Sequence, residues 1–153
     1  MVGIRQDIIV EVALQYNDGY KEAIFSYVNT INTKEGGQHL VGFKSALTRT
    51  INNYILKNIG KDLKTAVTGD DVREGITCVL SLKLPNPEFV GQTKARLGNI
   101  EAKAVTEAIV NENLGIYLEE NPHVAKRIID KTLEAAKARE AARRAKEIVR
   151  KKS

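Results

Sequence analysis

From Ile8 to Tyr16 apolar and mixed positions alternate, with Ile8, Val10, Val12, Leu14 and Tyr16 on one side of an extended chain and Ile9, Glu11, Ala13 and Gln15 on the other. A period of two with one wholly apolar side predicts a strand with one buried face. Asn17-Asp18-Gly19 supplies residues that tolerate positive φ, and a β-rich pattern resumes from Ile24 to Ile31. The spacing therefore predicts an antiparallel hairpin with a loose connection. After the polar loop Asn32-Thr33-Lys34-Glu35-Gly36-Gly37 the period changes. Leu40, Phe43, Leu47, Ile51, Tyr54 and Ile55 recur three or four apart, predicting an amphipathic helix from Gln38 to about Ile59 whose bare face carries Lys44, Arg49 and Lys57.

The chain is polar from Gly60 to Gly75, and Thr68-Gly69-Asp70-Asp71-Val72-Arg73-Glu74-Gly75 reads as a glycine-bounded loop or a single helical turn. Two adjacent carboxylates without further ligands do not favour a cation. Alternation returns from Ile76 to Leu84 and stops at Pro85-Asn86-Pro87, whose prolines cannot continue a ladder. Phe89-Val90-Gly91-Gln92-Thr93-Lys94 reads as a loop. Beyond Asn99 a helical spacing of Ala102, Val105, Ala108, Ile109, Leu114 and Leu118 runs to Asn121-Pro122, an N-cap and first-turn pair that predicts a new helix.

Nothing from His123 to about Lys151 breaks that last helix, and about thirty residues would extend ~45 Å. Its stripe is bulky at Val124, Ile128, Ile129 and Leu133, then shrinks to Ala136, Ala138, Ala141, Ala142 and Ala145. Small side chains bury little, so the second half is expected to leave the body, with Glu140–Arg144 and Glu147–Lys151 supporting it at i,i+4. The organisation expected is a single body over 1–121 and a long helix over 122–153.

Composition agrees with one folded domain: 153 residues, 42% hydrophobic and 28% charged, with three prolines. No apolar run approaches the ~20 residues of a bilayer span, and the N-terminus lacks a secretion signal, so a cytoplasmic location is expected. The single cysteine, Cys78, lies in an alternating strand and reads as a buried structural thiol. The net charge of +5 is unevenly placed. Residues 137–153 hold eight basic and two acidic side chains, a net of +6, which leaves −1 for residues 1–136. The basic character belongs to the terminal segment alone.

No phosphate loop, nucleophile elbow or spaced His/Cys/carboxylate cluster is present, which disfavours an enzyme acting by itself. In the glycine-led loop Gln92 and Lys94 lie two residues apart, where a lysine can serve as a point charge on a phosphate. Composition alone favours an ordinary solvated lysine there. Basic residues of the terminal helix without interleaved aromatics permit only salt-sensitive backbone attraction to DNA, which would make the chain a stand-alone nucleic-acid-binding module in the alternative reading, and an interdomain linker is the stronger one.

Six segments, in order and spacing, resemble the transducer region of the DNA gyrase B subunit. They are Val10 to Asp18, Asn32 to Gly37, Gly42-Phe43-Lys44-Ser45-Ala46-Leu47-Thr48-Arg49, Thr68 to Gly75, Gly91-Gln92-Thr93-Lys94, and Ala138-Arg139-Glu140-Ala141-Ala142-Arg143-Arg144-Ala145. The likeness covers roughly residues 8–153. The B subunit of topoisomerase IV is similar too, but the loop at 69–75 and the helix motif at 43–49 look more like gyrase.

The resemblance implies an α+β fold like domain 2 of a small-subunit ribosomal protein: a mostly antiparallel four-stranded sheet with helices on one face and a left-handed βαβ crossover. It implies that Lys94 contacts the γ-phosphate of ATP in the neighbouring ATPase domain, with Gln92 assisting, so that Lys94 is catalytic there. Loss of that phosphate on hydrolysis would release the loop and let the domain rotate, with the long helix carrying the motion toward the toprim and DNA-cleavage regions. ATP and Mg²⁺ would be held mainly by the ATPase domain. The implied partners are the ATPase and toprim domains, the gyrase A subunit, a second copy of the B subunit, and duplex DNA, with Lys44 and Arg49 as DNA-contact candidates. The segment alone is expected to be inactive, and Met1 reads as an introduced start.

Overall fold

The computed structural model describes residues 1–60 and 67–152, so 61–66 of the expected polar stretch, and Ser153, lie outside the described residues. Strands β1 (Val2–Arg5), β2 (Ile8–Tyr16), β3 (Ala23–Val28), β4 (Ile31–Asn32) and β5 (Ile76–Lys83) form one sheet in the order β1-β2-β5-β3-β4. The pairs β1–β2, β2–β5 and β3–β4 are antiparallel, and β3–β5 is parallel. The α+β class stands, while the sheet is mixed and five-stranded rather than four-stranded.

Both short strands arise at turns with no Asn-Gly or Asp-Gly signature. Gln6 and Asp7 take φ of 52° and 62°, and Asn29 and Thr30 take 49° and 69°. Two consecutive left-handed residues make the tight hairpin turn that matches strand twist. The first adds β1 ahead of β2. The second breaks the single strand expected over Ile24–Ile31, and the Asn29 side chain secures it by donating to the Leu84 carbonyl (2.9 Å) and accepting from the Leu84 amide (3.0 Å).

The expected β2–β3 hairpin does not form, because β5 lies between the two strands. Cross-strand rows such as Val10–Leu82–Val28 and Leu14–Cys78–Ile24 explain the preference. Every second residue of β5 (Ile76, Cys78, Leu80, Leu82) is completely buried, and a strand with that demand fits best at the sheet's centre. The connection after β2 is an Asx turn, with the Gly19 amide donating to the Asn17 side chain (2.7 Å), and it rests against Gly75 at the start of β5.

Helices α1 (Gln38–Asn58) and α3 (Ile100–Glu120) supply the opposing side of the core, through Phe43, Leu47, Ile51 and Ile55 and through Val105, Ile109, Leu114 and Leu118. They cross closely at Gly42, where a Cβ would sit 2.5 Å from the Lys103 carbonyl oxygen. On the other sheet face Glu11, Ala13, Phe25 and Val79 are exposed. The five-residue helix α2 (Gly69–Arg73) is the predicted single turn, capped at both groups of a Thr68–Asp71 box.

Helix α4 (Pro122–Lys152) begins at the predicted proline. Ala125, Ile128, Ile129, Ala135 and Ala136 are buried, whereas Val124, expected in the stripe, is exposed. From Ala141 to Arg150 every residue is exposed, so the helix leaves the body about one turn after the change to alanine, Ala136 itself still being buried. Glu140 pairs with Arg143 and Arg144. Glu147 reaches back to Arg143, in place of the forward pair expected with Lys151. No helix among the described residues is long and apolar enough to cross a membrane.

Candidate functional site

The segment 88–98 is a narrow loop standing on two fixed legs. The Val90 amide donates to the Arg96 carbonyl (2.9 Å) and the Gly98 amide to the Glu88 carbonyl (2.7 Å), closing it at the base. Asn99 holds the incoming leg, accepting from the Glu88 amide (2.6 Å) and donating to the Asn86 carbonyl (3.2 Å). That use of Asn99 departs from a capping role, since its side chain accepts from no first-turn amide of α3 and instead donates to the Glu101 carboxylate (2.8 Å). The outgoing leg lies on the polar loop before α1, with Glu35 amide to Ala95 carbonyl (2.8 Å), Leu97 amide to Gly36 carbonyl (3.1 Å) and Gln38 amide to Leu97 carbonyl (3.0 Å).

At the tip Gly91, Gln92, Thr93 and Lys94 are all exposed. Gly91 has φ of 79°, and Lys94 has φ of 55°, a left-handed conformation that costs a side-chain-bearing residue energy. No ion pair holds Lys94 among the described residues. The loop therefore offers an ammonium group to whatever lies opposite, on a backbone fixed one residue further on.

Lys44 and Arg49 do not form a common patch. Five residues apart on α1, they differ by about 140° around the axis. Lys44 is half-buried with its ammonium 3.9 Å from Glu22, which also pairs with Arg73, and Arg49 is exposed.

Two constellations escape a reading by sequence alone. Asp71, 4% exposed, accepts from the Thr68 amide (2.9 Å) and from both Nε and Nη2 of Arg139 (3.2 Å each). Burial pushes its carboxyl upward, but the Arg139 and Thr68 hydrogen bonds outweigh this and hold it below the usual carboxylate value. This pair ties α2 to the last buried turn of α4.

The second is a buried chain of Ser26, Thr33 and His39. Ser26 Oγ donates to the Thr33 carbonyl (3.0 Å) and lies 2.8 Å from Thr33 Oγ1, which lies 3.0 Å from His39 Nε2. Because Ser26 has one proton and gives it to a carbonyl, Thr33 must donate to Ser26 and His39 Nε2–H to Thr33. His39 is thus neutral with its proton on Nε2, and burial lowers its pKa to about 4. Burial likewise pushes the Cys78 thiol up to about 12, as befits the structural role expected of it. Among the described residues no three His, Cys, Asp or Glu side chains converge on a metal site.

The family profile of DNA gyrase B matches residues 2–148. The DNA gyrase B subunit of Bacillus mycoides is 55% identical over 152 residues, covering 99% of this chain and 38% of that protein. The crystal structure of the 43K ATPase domain of Thermus thermophilus gyrase B, in complex with an aminocoumarin, is similar with a TM-score of 0.89 and 44% identity, over 96% of this chain and 40% of that one. The topoisomerase IV ATP-binding domain of Francisella tularensis, with a small-molecule inhibitor, is similar with a TM-score of 0.81 and 29% identity, over 91% and 38%. The chain spans 18% to 38% of the length of the first two curated relatives.

Proposed function

Since the chain belongs to the DNA gyrase B family, we propose that it is the transducer region of a gyrase B subunit, coupling ATP turnover in an adjoining ATPase domain to movement of duplex DNA. The observation that carries this reading is the loop at 88–98: an exposed cation at the tip and hydrogen-bonded legs on both sides. Lys94 Nζ contributes positive charge and three donors to the γ-phosphate of ATP, and the Gln92 carboxamide adds a further donor. A strained, exposed lysine is stabilised by such a partner, which orders the tip. Departure of the phosphate removes that stabilisation, and the loop releases the ATPase domain.

In this reading ATP and Mg²⁺ are bound mainly by the ATPase domain, and Lys94 completes the site from outside it. Arg49 is offered to a passing duplex more readily than Lys44, which leans on Glu22. The parallel β3–β5 pair joined through α1 is the βαβ unit of the ribosomal-protein-like fold, with a left-handed crossover. Helix α4 leads toward the toprim region, the gyrase A subunit, and the DNA gate, and the ATPase domains pair two such chains. The higher identity to gyrase than to topoisomerase IV favours gyrase.

Joining this segment to its cognate ATPase domain and comparing ATP hydrolysis with Lys94→Ala tests the reading. A loss of tenfold or more, about 1.4 kcal/mol of transition-state stabilisation per decade, is expected with the circular dichroism unchanged. Unaltered turnover would reduce the loop to a structural element and remove the sensing role.

A further inference from the structure

We propose that the buried Ser26–Thr33–His39 chain, together with Gly36 and Gly37, is a positioning platform that fixes the outgoing leg of the Gln92–Lys94 loop and so sets where the Lys94 ammonium stands. The proposal deepens the reading of Lys94 as a phosphate sensor and rests on it for its functional arm only.

Ala95, Arg96 and Leu97 form the outgoing leg, and Ala95 and Leu97 bind through their backbones to Glu35, Gly36 and Gln38, so the leg can be no better placed than that segment. The segment is tied from below. The Gly36 amide donates to the Thr33 carbonyl (2.9 Å) and the Thr33 amide to the Ser26 carbonyl (2.9 Å). Thr33, 1% exposed, also accepts from Ser26 Oγ at its carbonyl and joins its hydroxyl to both Ser26 and His39. One residue therefore links strand β3 and the first turn of α1 to Gly36, whose carbonyl in turn holds the leg of the loop at Leu97. In the dry interior each of these bonds is costly to lose, because a donor or acceptor left behind finds no water.

The two glycines allow the approach. Gly37 has φ of 133°, and a Cβ there would lie 2.4 Å from both the amide nitrogen and the carbonyl oxygen of Leu97. Gly36, with φ of 76°, turns its carbonyl toward the Leu97 amide. Backbone meets backbone at this point, which leaves the leg no side chain by which to slide.

A sensor needs this division. A lysine whose backbone wandered by several ångströms would spread its charge over many positions and bind a phosphate weakly, since ordering it would cost conformational entropy on each turnover. Here Lys94, the last residue of the tip, directly precedes the first bonded carbonyl, that of Ala95.

Amide hydrogen exchange on this 153-residue chain, comparing Thr33→Val and Thr33→Ser with the parent sequence, tests the platform without nucleotide. Thr33→Val keeps the side-chain shape and deletes the hydroxyl. Exchange at Glu35 and Leu97 should rise tenfold or more while Val10 and Leu82 in the sheet stay protected, and Thr33→Ser should restore protection. Unchanged exchange at Leu97, or an equal rise at Leu82, would overturn the proposal, the second because Thr33 would then only support the core.

In the segment joined to its ATPase domain, Thr33→Val should raise the KM for ATP several-fold, and it should add nothing when Lys94 is already alanine. An effect that persists in the Lys94→Ala background would also overturn the positioning role. If Lys94→Ala is itself silent, the sensor reading fails while the exchange experiment still decides the platform.

Discussion

Asp71 is enclosed by protein yet ionised, and the groups responsible come from both sides of it in sequence, Thr68 from the cap of its own helix and Arg139 from α4. Asp71→Ala loses the capping box and the partner of Arg139 together and should cost about 2 kcal/mol of unfolding free energy, read from urea denaturation. The acid response separates two residues. The folded pKa of His39 is depressed, so its contribution is present above pH 6.5 and is lost as pH falls toward about 4. The folded pKa of Asp71 also lies below its ordinary value of 3.8, so its contribution is present above that value and lost below it. Each loss has a slope of at most about 1.4 kcal/mol per pH unit. His39→Gln should flatten the stability profile between pH 6.5 and 4, and Asp71→Asn should flatten it only below pH 4; equal flattening in both windows would contradict these assignments. Cys78, buried and with its thiol pushed up to about 12, should resist a thiol reagent at pH 8 until the chain unfolds.

Among the elements, α1 contains a glycine where propensity argues against one. Gly42→Ala gains up to about 1 kcal/mol in helix propensity, yet its Cβ would meet the Lys103 backbone at 2.5 Å and push α1 from α3. Overpacking of this kind costs about 1–3 kcal/mol, so the melting temperature should fall, and a rise would show that the helices can separate freely. The same elements show what the sequence makes legible. Periods of two and of three to four residues locate β2, β5, α1, α3 and α4, because β2, β5, α1 and α3 each turn an apolar face to the core, α4 does so over its first half, and the pattern is intrinsic to each segment. The order of strands is not legible. The place of β5 between β2 and β3 depends on which strand most needs burial on its helix-facing side, a comparison among distant segments. Strands β1 and β4 are hidden by turns made from Gln-Asp and Asn-Thr, which reach positive φ without the residues that usually announce it. The loop bearing Gln92 and Lys94 is legible as a loop, but its hydrogen bonds to 35–38 are backbone bonds and leave no mark in side-chain chemistry.

For the whole molecule, charge and shape divide at the same place. Residues 141–153 carry six basic side chains and one acidic one, and the stretch from Ala141 to Arg150 is exposed throughout. Such an arm can work through its charge or through its stiffness, and the two make different demands. A binder of nucleic acid needs the cations; each phosphate neutralised contributes about 0.9 to the slope of log affinity against log salt. A lever needs an unbroken helix. Replacing Ala141 and Ala142 together by glycine keeps every charge but weakens the helix by about 1 kcal/mol at each position, just where it leaves the body. On the proposed transducer role, this change in a complete gyrase carrying the chain should leave DNA affinity and its salt dependence intact and preserve ATP hydrolysis, while cutting the supercoiling obtained per ATP. Deleting 141–153 from the isolated chain should leave its urea midpoint unaltered, since the exposed turns support no core. If the double glycine variant supercoils with undiminished efficiency and the deletion abolishes DNA binding by the isolated chain, the arm acts by charge, and the transmission of motion must run through another part of the enzyme.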